Sequence, residues 1–159
     1  MLHFGSPENR LEALLSGEVS AAMLMEPYIS LAEKNGCRSV CEGHYLGAEN
    51  ASDNMDETTF AAINQAVAKA VDLINSDKKR FIHYLLDDPK FAPVLKKWGP
   101  LTADDFILSR LRYTHPTPYT DEQIEDTYNW MVRWGLLNAS VCAADFVDNR
   151  DGEPIAADY

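Results

Sequence analysis

Side chains that could hydrogen-bond a small molecule lie together at residues 25–28, Met25-Glu26-Pro27-Tyr28. A carboxylate and a phenol can bind an amine, a pyrimidine or water in a cleft. The same residues also have a structural interpretation, in which Glu26 favours the dipole of a helix that Pro27 opens and Tyr28 packs on the next helix. Met25 is either a core residue or part of the cleft wall. We take Met25, Glu26 and Tyr28 as the candidate ligand-binding residues.

A second group, Cys37, Cys41 and His44, has the spacing C-x3-C-x2-H. On a strand, positions 37 and 41 point to one face, so the thiols could converge on a metal with a fourth ligand such as His83 or His115. The segment lacks the C-x2-C spacing of a zinc knuckle, and free cysteine is commonly buried as a small apolar residue. We therefore predict no metal site and no cofactor.

No catalytic signature stands out in the chain. It contains no Gly-rich phosphate loop, no H-E-x-x-H and no G-x-S-x-G. His83 lies in an apolar stretch that predicts a packed or partly exposed histidine, and nothing in the sequence pairs with His115. We therefore assign no catalytic residue.

Charge and hydropathy exclude several classes of partner. The formal net charge of the 159-residue chain is −11, and its basic residues form only short runs, so we expect no affinity for nucleic acid. No apolar run approaches the ~20 residues of a membrane span, so we expect no membrane insertion. The first residues lack the features of a signal peptide, which leaves a cytoplasmic location open.

The N-terminal third alternates between predicted helices and strands. Ser6, Pro7 and Glu8 are typical of a helix start, and Gly17 of its end. The uncharged, mostly apolar residues 19–25 predict a buried strand. A helix at residues 27–35 and a shorter strand at residues 37–41 follow. This alternation predicts an α/β fold with short strands near the N-terminus.

The rest of the chain is predicted to be helical after a loop at residues 44–55. Apolar residues at steps of three and four predict a long amphipathic helix from Asp56 to Ile74, and Thr120 to Gln123 has the spacing of a capping box. Shorter helices are predicted between these two, at residues 81–86, 91–98 and 103–110. We expect an α/β portion at residues 1–45, a helical portion at 46–140 and a tail at 141–159.

Two stretches resemble a known protein family. They are LLSGEVSAA at residues 14–22 and MEPY at residues 25–28, followed by an Ala-rich helix, an Asn-Ser-Asp break and a late helix with Trp130 and Trp134. The pattern resembles that of ABC-importer substrate-binding proteins for nitrate, sulfonates, taurine and thiamine-pyrimidine precursors. Ser20 stands where that family commonly has Asp. The resemblance implies a two-lobed periplasmic-binding-protein-like fold, of which this chain resembles the C-terminal half.

The resemblance implies a function as well. We expect a small polar organic ligand of the sulfonate, pyrimidine or aromatic-acid type, held in a cleft between lobes, with an ABC permease as partner and a periplasmic or cell-surface location. Because short strands leave edges uncovered, we expect a homodimer, or a partner chain or N-terminal half that completes the site. Two alternatives remain. One is an enzyme on the same scaffold, similar to pyrimidine synthases, desulfinases or decarboxylases. The other is an interaction or sensory half-domain that dimerises without a ligand.

Overall fold

The computed structural model of the protein describes residues 5–43 and 54–142. The α-helices of these residues are α1 (Pro7–Leu15), α2 (Tyr28–Lys34), α3 (Glu57–Ser76), α4 (Lys78–Phe81), α5 (His83–Leu86), α6 (Ala92–Trp98) and α7 (Asp121–Arg133). Two 3-10 turns, Ala103–Asp105 and Leu108–Arg110, precede α7. The chain divides into a first unit of residues 1–51 and 71–113 and a second unit of residues 52–70 and 114–159.

Both ends of α1 follow the sequence signals. The Ser6 hydroxyl accepts a hydrogen bond from the Asn9 N–H at 3.2 Å, and Pro7 is the first helical residue. The helix ends at Leu15, and Gly17 then adopts a φ of 79°, a left-handed conformation that glycine accepts without steric cost. The predicted first helix is therefore confirmed.

The two predicted strands are absent from the described residues. In residues 5–43 and 54–142 the structure is helical and contains no strand, so the predicted α/β fold is wrong. Residues 21–25 form neither helix nor strand. The segment bonds to α1: the Val19 N–H donates to the Ala13 carbonyl, and Arg10 Nη1 donates to the Met23 carbonyl. An apolar run becomes a strand only where a second extended backbone lies beside it.

The second predicted strand, at residues 37–41, is also missing. The Cys37 N–H donates to the Ala32 carbonyl and the Gly36 N–H to the Glu33 carbonyl, which together close the C-terminus of α2 in a Schellman arrangement. Gly36 supplies the required positive φ of 88°. Asn35 and Gly36 therefore end α2, as predicted, and the start of the next segment is used as a helix cap.

The core of the first unit is formed by α1, α2 and the chain from α4 to residue 111. Its buried apolar side chains are Leu11, Tyr28, Leu31, Ala32, Ile82, Phe91, Leu101, Phe106 and Leu111. The predicted helix at residues 103–110 is replaced by the two 3-10 turns. Leu101, Phe106 and Leu111 are all buried, and a continuous helix does not bring residues five apart onto one face.

The described part of the second unit contains residues 57–70 of α3 and the whole of α7. Helix α3 runs from Glu57 to Ser76, close to the range of Asp56 to Ile74 that the apolar spacing predicts. Thr120 and Gln123 form the predicted capping box of α7. The Thr120 hydroxyl accepts from the Gln123 N–H at 3.2 Å, and Gln123 Oε1 accepts from the Thr120 N–H at 3.0 Å. No α7 residue is buried, and Trp130 is 56 % exposed. Across the described residues, every helix is too short or too polar to cross a bilayer.

Candidate functional site

Residues 25–28 form a turn that leads from the irregular segment at residues 21–25 into α2. The Met25 carbonyl accepts hydrogen bonds from the N–H groups of Tyr28 and Ile29, at 2.9 and 3.2 Å. The sequence predicts Pro27 as the first helical residue of α2, but in the structure Pro27 is the N-cap and the helix begins at Tyr28. The Pro27 carbonyl accepts a hydrogen bond from the Leu31 N–H at 3.2 Å. The turn therefore fixes the start of α2 and the direction of the side chains on either side of it.

Tyr28 is turned into the core. It is 7 % exposed, and its ring contacts that of Phe91 edge to face at a centroid distance of 5.1 Å. Its hydroxyl donates a hydrogen bond to the Glu8 carboxylate, which ties α2 to the first turn of α1. Burial raises the pKa of the Tyr28 hydroxyl, and the donated bond lowers the pKa of Glu8. Met25, by contrast, is 42 % exposed, so the two residues face different surroundings.

Glu26 is the most enclosed carboxylate of this corner, with a side chain only 9 % exposed. Its Oε2 accepts a hydrogen bond from the Ser30 N–H at 3.1 Å, one of the N–H groups that the first turn of α2 leaves without a helical partner. Its Oε1 lies 3.8 Å from Arg110 Nη1, beyond hydrogen-bond distance. Within the described ranges, Glu26 Oε1 and the Ser30 hydroxyl are buried polar atoms without a hydrogen-bond partner.

Arg110, in the second 3-10 turn, is the cation of the site. Its Nη1 and Nη2 donate to the two carboxylate oxygens of Glu33 at 2.7 and 2.9 Å, and its Nε donates to Glu42 at 2.9 Å. Only 12 % of the Arg110 side chain is exposed. The bonds from Arg110 lower the pKa of Glu33, and those bonds in turn raise the pKa of Arg110. When all three carboxylates are ionised, Glu26, Glu33 and Glu42 leave two negative charges uncompensated.

Glu26 is predictable from the sequence, whereas the residues that complete its surroundings are not. One signal was present: Ser30 and Glu33 follow Glu26 at steps of four and three, the spacing of one helical face. Arg110 has no such signal, because it lies 77 positions after Glu33 in the chain. We refer to Glu26, Ser30, Glu33, Glu42 and Arg110 as the Arg110 cluster.

None of the described cysteine and histidine residues is part of this cluster. Cys37 is half-buried against the core and Cys41 is exposed, and both are free thiols. His83 packs against the ring of Tyr84 at a centroid distance of 4.1 Å. His44 lies outside the described residues. Among those that are described, no three His, Cys, Asp or Glu side chains are arranged to hold a metal ion.

Two concave regions of the first unit are lined by residues outside the Arg110 cluster, although both include chain neighbours of Arg110. One is an open groove of about 410 Å³, lined by residues 75–79 with Leu108 and Ser109. The other, of about 160 Å³, is mainly apolar and lies between Ile74, Phe81, Ile82, Leu85, Leu111 and two tyrosines. The unpaired atoms of Glu26 and Ser30 are shielded from solvent. A ligand therefore reaches them only when the surrounding side chains move.

Comparison of the chain with protein-family models, with curated proteins and with solved structures gives no match.

Proposed function

We propose that this chain is a small-molecule-binding module of the kind used by ABC-importer substrate-binding proteins, with the Arg110 cluster as its ligand-contacting surface. One observation carries the proposal: Glu26 Oε1 and the Ser30 hydroxyl are buried without a hydrogen-bond partner in the described part of the chain. The resemblance of residues 14–22 and 25–28 to that family supports it, because the family pattern ends at the same corner.

The physical reason is the free-energy cost of unpaired polar atoms. Shielding a donor or acceptor from water without a replacement bond costs about 1–3 kcal/mol, and more for a charged group. A polar ligand that bonds to Glu26 and Ser30 removes this cost, whereas the free protein bears it. Such atoms therefore lower the stability of the free protein and increase its affinity for a ligand that bonds to them.

Ligand binding to Glu26 and Ser30 requires the surrounding side chains to move, because Glu26 Oε1 and the Ser30 hydroxyl are shielded from solvent in the structure. A ligand shifts a protein toward the arrangement that binds it best. Met23 and Val40 are 77 % and 68 % exposed on the two segments that flank α2. This apolar surface supports a site whose other wall comes from a second copy or a partner chain, and an ABC permease is the partner that the resemblance implies.

Thermal-shift measurements on the intact chain test the proposal. A panel of sulfonates, pyrimidines and aromatic acids is screened, and we expect at least one to raise the melting temperature of the wild type but not of Glu26→Ala. Glu18→Ala is the matched control, because Glu18 is an exposed glutamate eight positions earlier. If no compound shifts the wild type, or if Glu26→Ala responds equally, the proposal fails.

A dimeric interaction module is the second candidate function. The observation that favours it is the exposure of three large apolar side chains, Met23, Met25 and Val40, on the segments that flank α2, since exposed apolar side chains are often covered at a protein interface. Light scattering coupled to size-exclusion chromatography tests it. We expect a dimer that Met23→Glu converts to a monomer; a folded wild-type monomer with no ligand response would contradict both candidates.

A further inference from the structure

We propose that the Arg110 cluster selects ligands that carry an N–H donor group, such as an amidine or an aminopyrimidine, and rejects sulfonates and carboxylates. This inference rests on the proposed function and names its ligand class. It follows from two properties of the cluster: which atoms lack a partner, and which charge is in excess.

One of the two atoms without a partner only accepts hydrogen bonds, and the other both accepts and donates. Glu26 Oε1 is a carboxylate oxygen that accepts, whereas the Ser30 hydroxyl accepts through its lone pairs and donates its O–H. Both residues are enclosed, with 9 % of the Glu26 side chain and 2 % of Ser30 exposed. The ligand group that complements a buried carboxylate oxygen is an N–H or O–H donor. An anionic group can accept from the Ser30 hydroxyl but presents only further acceptors to the Glu26 carboxylate.

The strongest donor pair that could attract an anion is already in use. Three of the five N–H groups of Arg110 are bonded, from Nη1 and Nη2 to Glu33 and from Nε to Glu42, so a sulfonate that binds Nη1 and Nη2 as Glu33 does would have to displace a carboxylate held at 2.7–2.9 Å. The two bonds to Glu33 form a bidentate pair, the most specific geometry for arginine. The Glu42 side chain is half-exposed and is easier to displace, but its displacement from Arg110 frees only the Nε–H group.

The charge of the cluster favours the same class. One guanidinium faces the carboxylates of Glu26, Glu33 and Glu42, at distances of 3.8, 2.7 and 2.9 Å. A cationic donor reduces the excess negative charge, while an anion increases it in a region partly shielded from water. The net charge of −11 on the whole chain adds to the repulsion of an anion. A neutral aminopyrimidine gains the hydrogen bonds without the charge term and is expected to bind less tightly than an amidine.

Four probes of similar size separate the classes: benzamidine, 4-aminopyrimidine, benzoate and benzenesulfonate. Isothermal titration calorimetry with the full chain at pH 7 measures each affinity. We expect benzamidine to bind best, 4-aminopyrimidine next, and the two anions at least tenfold more weakly than either. Binding of an anion with an affinity equal to or above that of benzamidine overturns the inference but leaves the proposed function standing. If none of the four binds, and the wider panel gives no response either, the proposed function fails with it.

Two variants distinguish a binding role from a structural one. Ser30→Ala removes an unpaired buried hydroxyl, so we expect unchanged or slightly higher stability but about tenfold weaker binding of benzamidine. Glu26→Gln keeps an acceptor oxygen and loses the charge, so its effect on benzamidine is expected to exceed its effect on 4-aminopyrimidine. Circular dichroism confirms that each variant is folded. Wild-type affinity for benzamidine in both folded variants overturns the inference.

Discussion

Replacing Arg110 with methionine tests whether the Arg110 cluster holds the first unit together. Methionine keeps much of the side-chain length and removes the guanidinium, which leaves Glu26, Glu33 and Glu42 close to one another. Arg110 makes two charge-assisted bonds to Glu33, whose side chain is 27 % exposed, and one to Glu42, which is 50 % exposed.

The expected loss of stability at pH 7 is about 3 kcal/mol. Breaking a buried pair by removing one partner costs about 3–5 kcal/mol, because a charge stays behind without compensation. The lower end applies here, since Glu42 is half in solvent and contributes little. With a urea dependence of about 2 kcal/mol/M, the unfolding midpoint should fall by about 1.5 M. The control is Arg112→Met, an exposed arginine two positions later, for which we expect a change of less than about 0.5 kcal/mol.

The fluorescence of Trp98 is a suitable signal, because Trp98 lies in the first unit; Trp130 and Trp134 lie in the second and are replaced with phenylalanine in all proteins compared. If Arg110→Met has the midpoint of its parent, or if Arg112→Met loses as much, the cluster does not stabilise the unit as reasoned.

The same variant has a predicted pH dependence. Arg110 lowers the pKa of Glu33 below its ordinary value of 4.5, so the stability from this pair is complete above that value and is lost as the pH falls through the lower folded-state pKa. Arg110→Met lacks this contribution. The difference between the two proteins should therefore persist from pH 7 toward pH 4.5 and shrink as the pH falls further, through the lowered pKa of Glu33. A difference independent of pH over this range would assign the effect to packing instead of charge.

Three further predictions concern the core and the helix ends. Tyr28→Phe keeps the ring contact and removes the donor to Glu8, and should cost about 1 kcal/mol by urea unfolding; no loss would mean that this bond contributes nothing net. Leu31→Ala, at a position with 0 % exposure, should cost about 2–5 kcal/mol, and Leu73→Ala, at 59 % exposure, less than about 0.5 kcal/mol. Equal losses at both positions would contradict the assigned core. Thr120→Ala removes the hydroxyl that caps α7 and should cost about 1 kcal/mol, measured as a lower midpoint of helical ellipticity on heating; an unchanged midpoint would show that α7 does not depend on its cap.

Local signals in the sequence were sufficient for α1, α3 and α7 and for the C-terminal end of α2, but not for residues 103–110, where two 3-10 turns replace the predicted helix. Ser6 and Thr120 cap α1 and α7 with their own hydroxyls, and Gly17 and Gly36 follow helix ends with positive φ. Apolar residues at steps of three and four predicted α3. These features are predictable because the groups that form each hydrogen bond lie within a few residues of each other. The position of Glu26 at the start of a helix follows from the same kind of signal.

Partners distant in the chain were decided only by the tertiary structure. Residues 19–25 have the composition of a buried strand, but whether such a run pairs depends on another segment, and in the described residues it lies against α1 instead. Arg110 reaches α2 from a turn 77 positions after Glu33, which no spacing rule predicts. The sequence alone therefore determined that a glutamate stands at the entrance to α2. Only the folded chain decided that this glutamate is buried beside an arginine already held by two other carboxylates, because strand pairing and ion pairing both depend on which distant segments the core brings together.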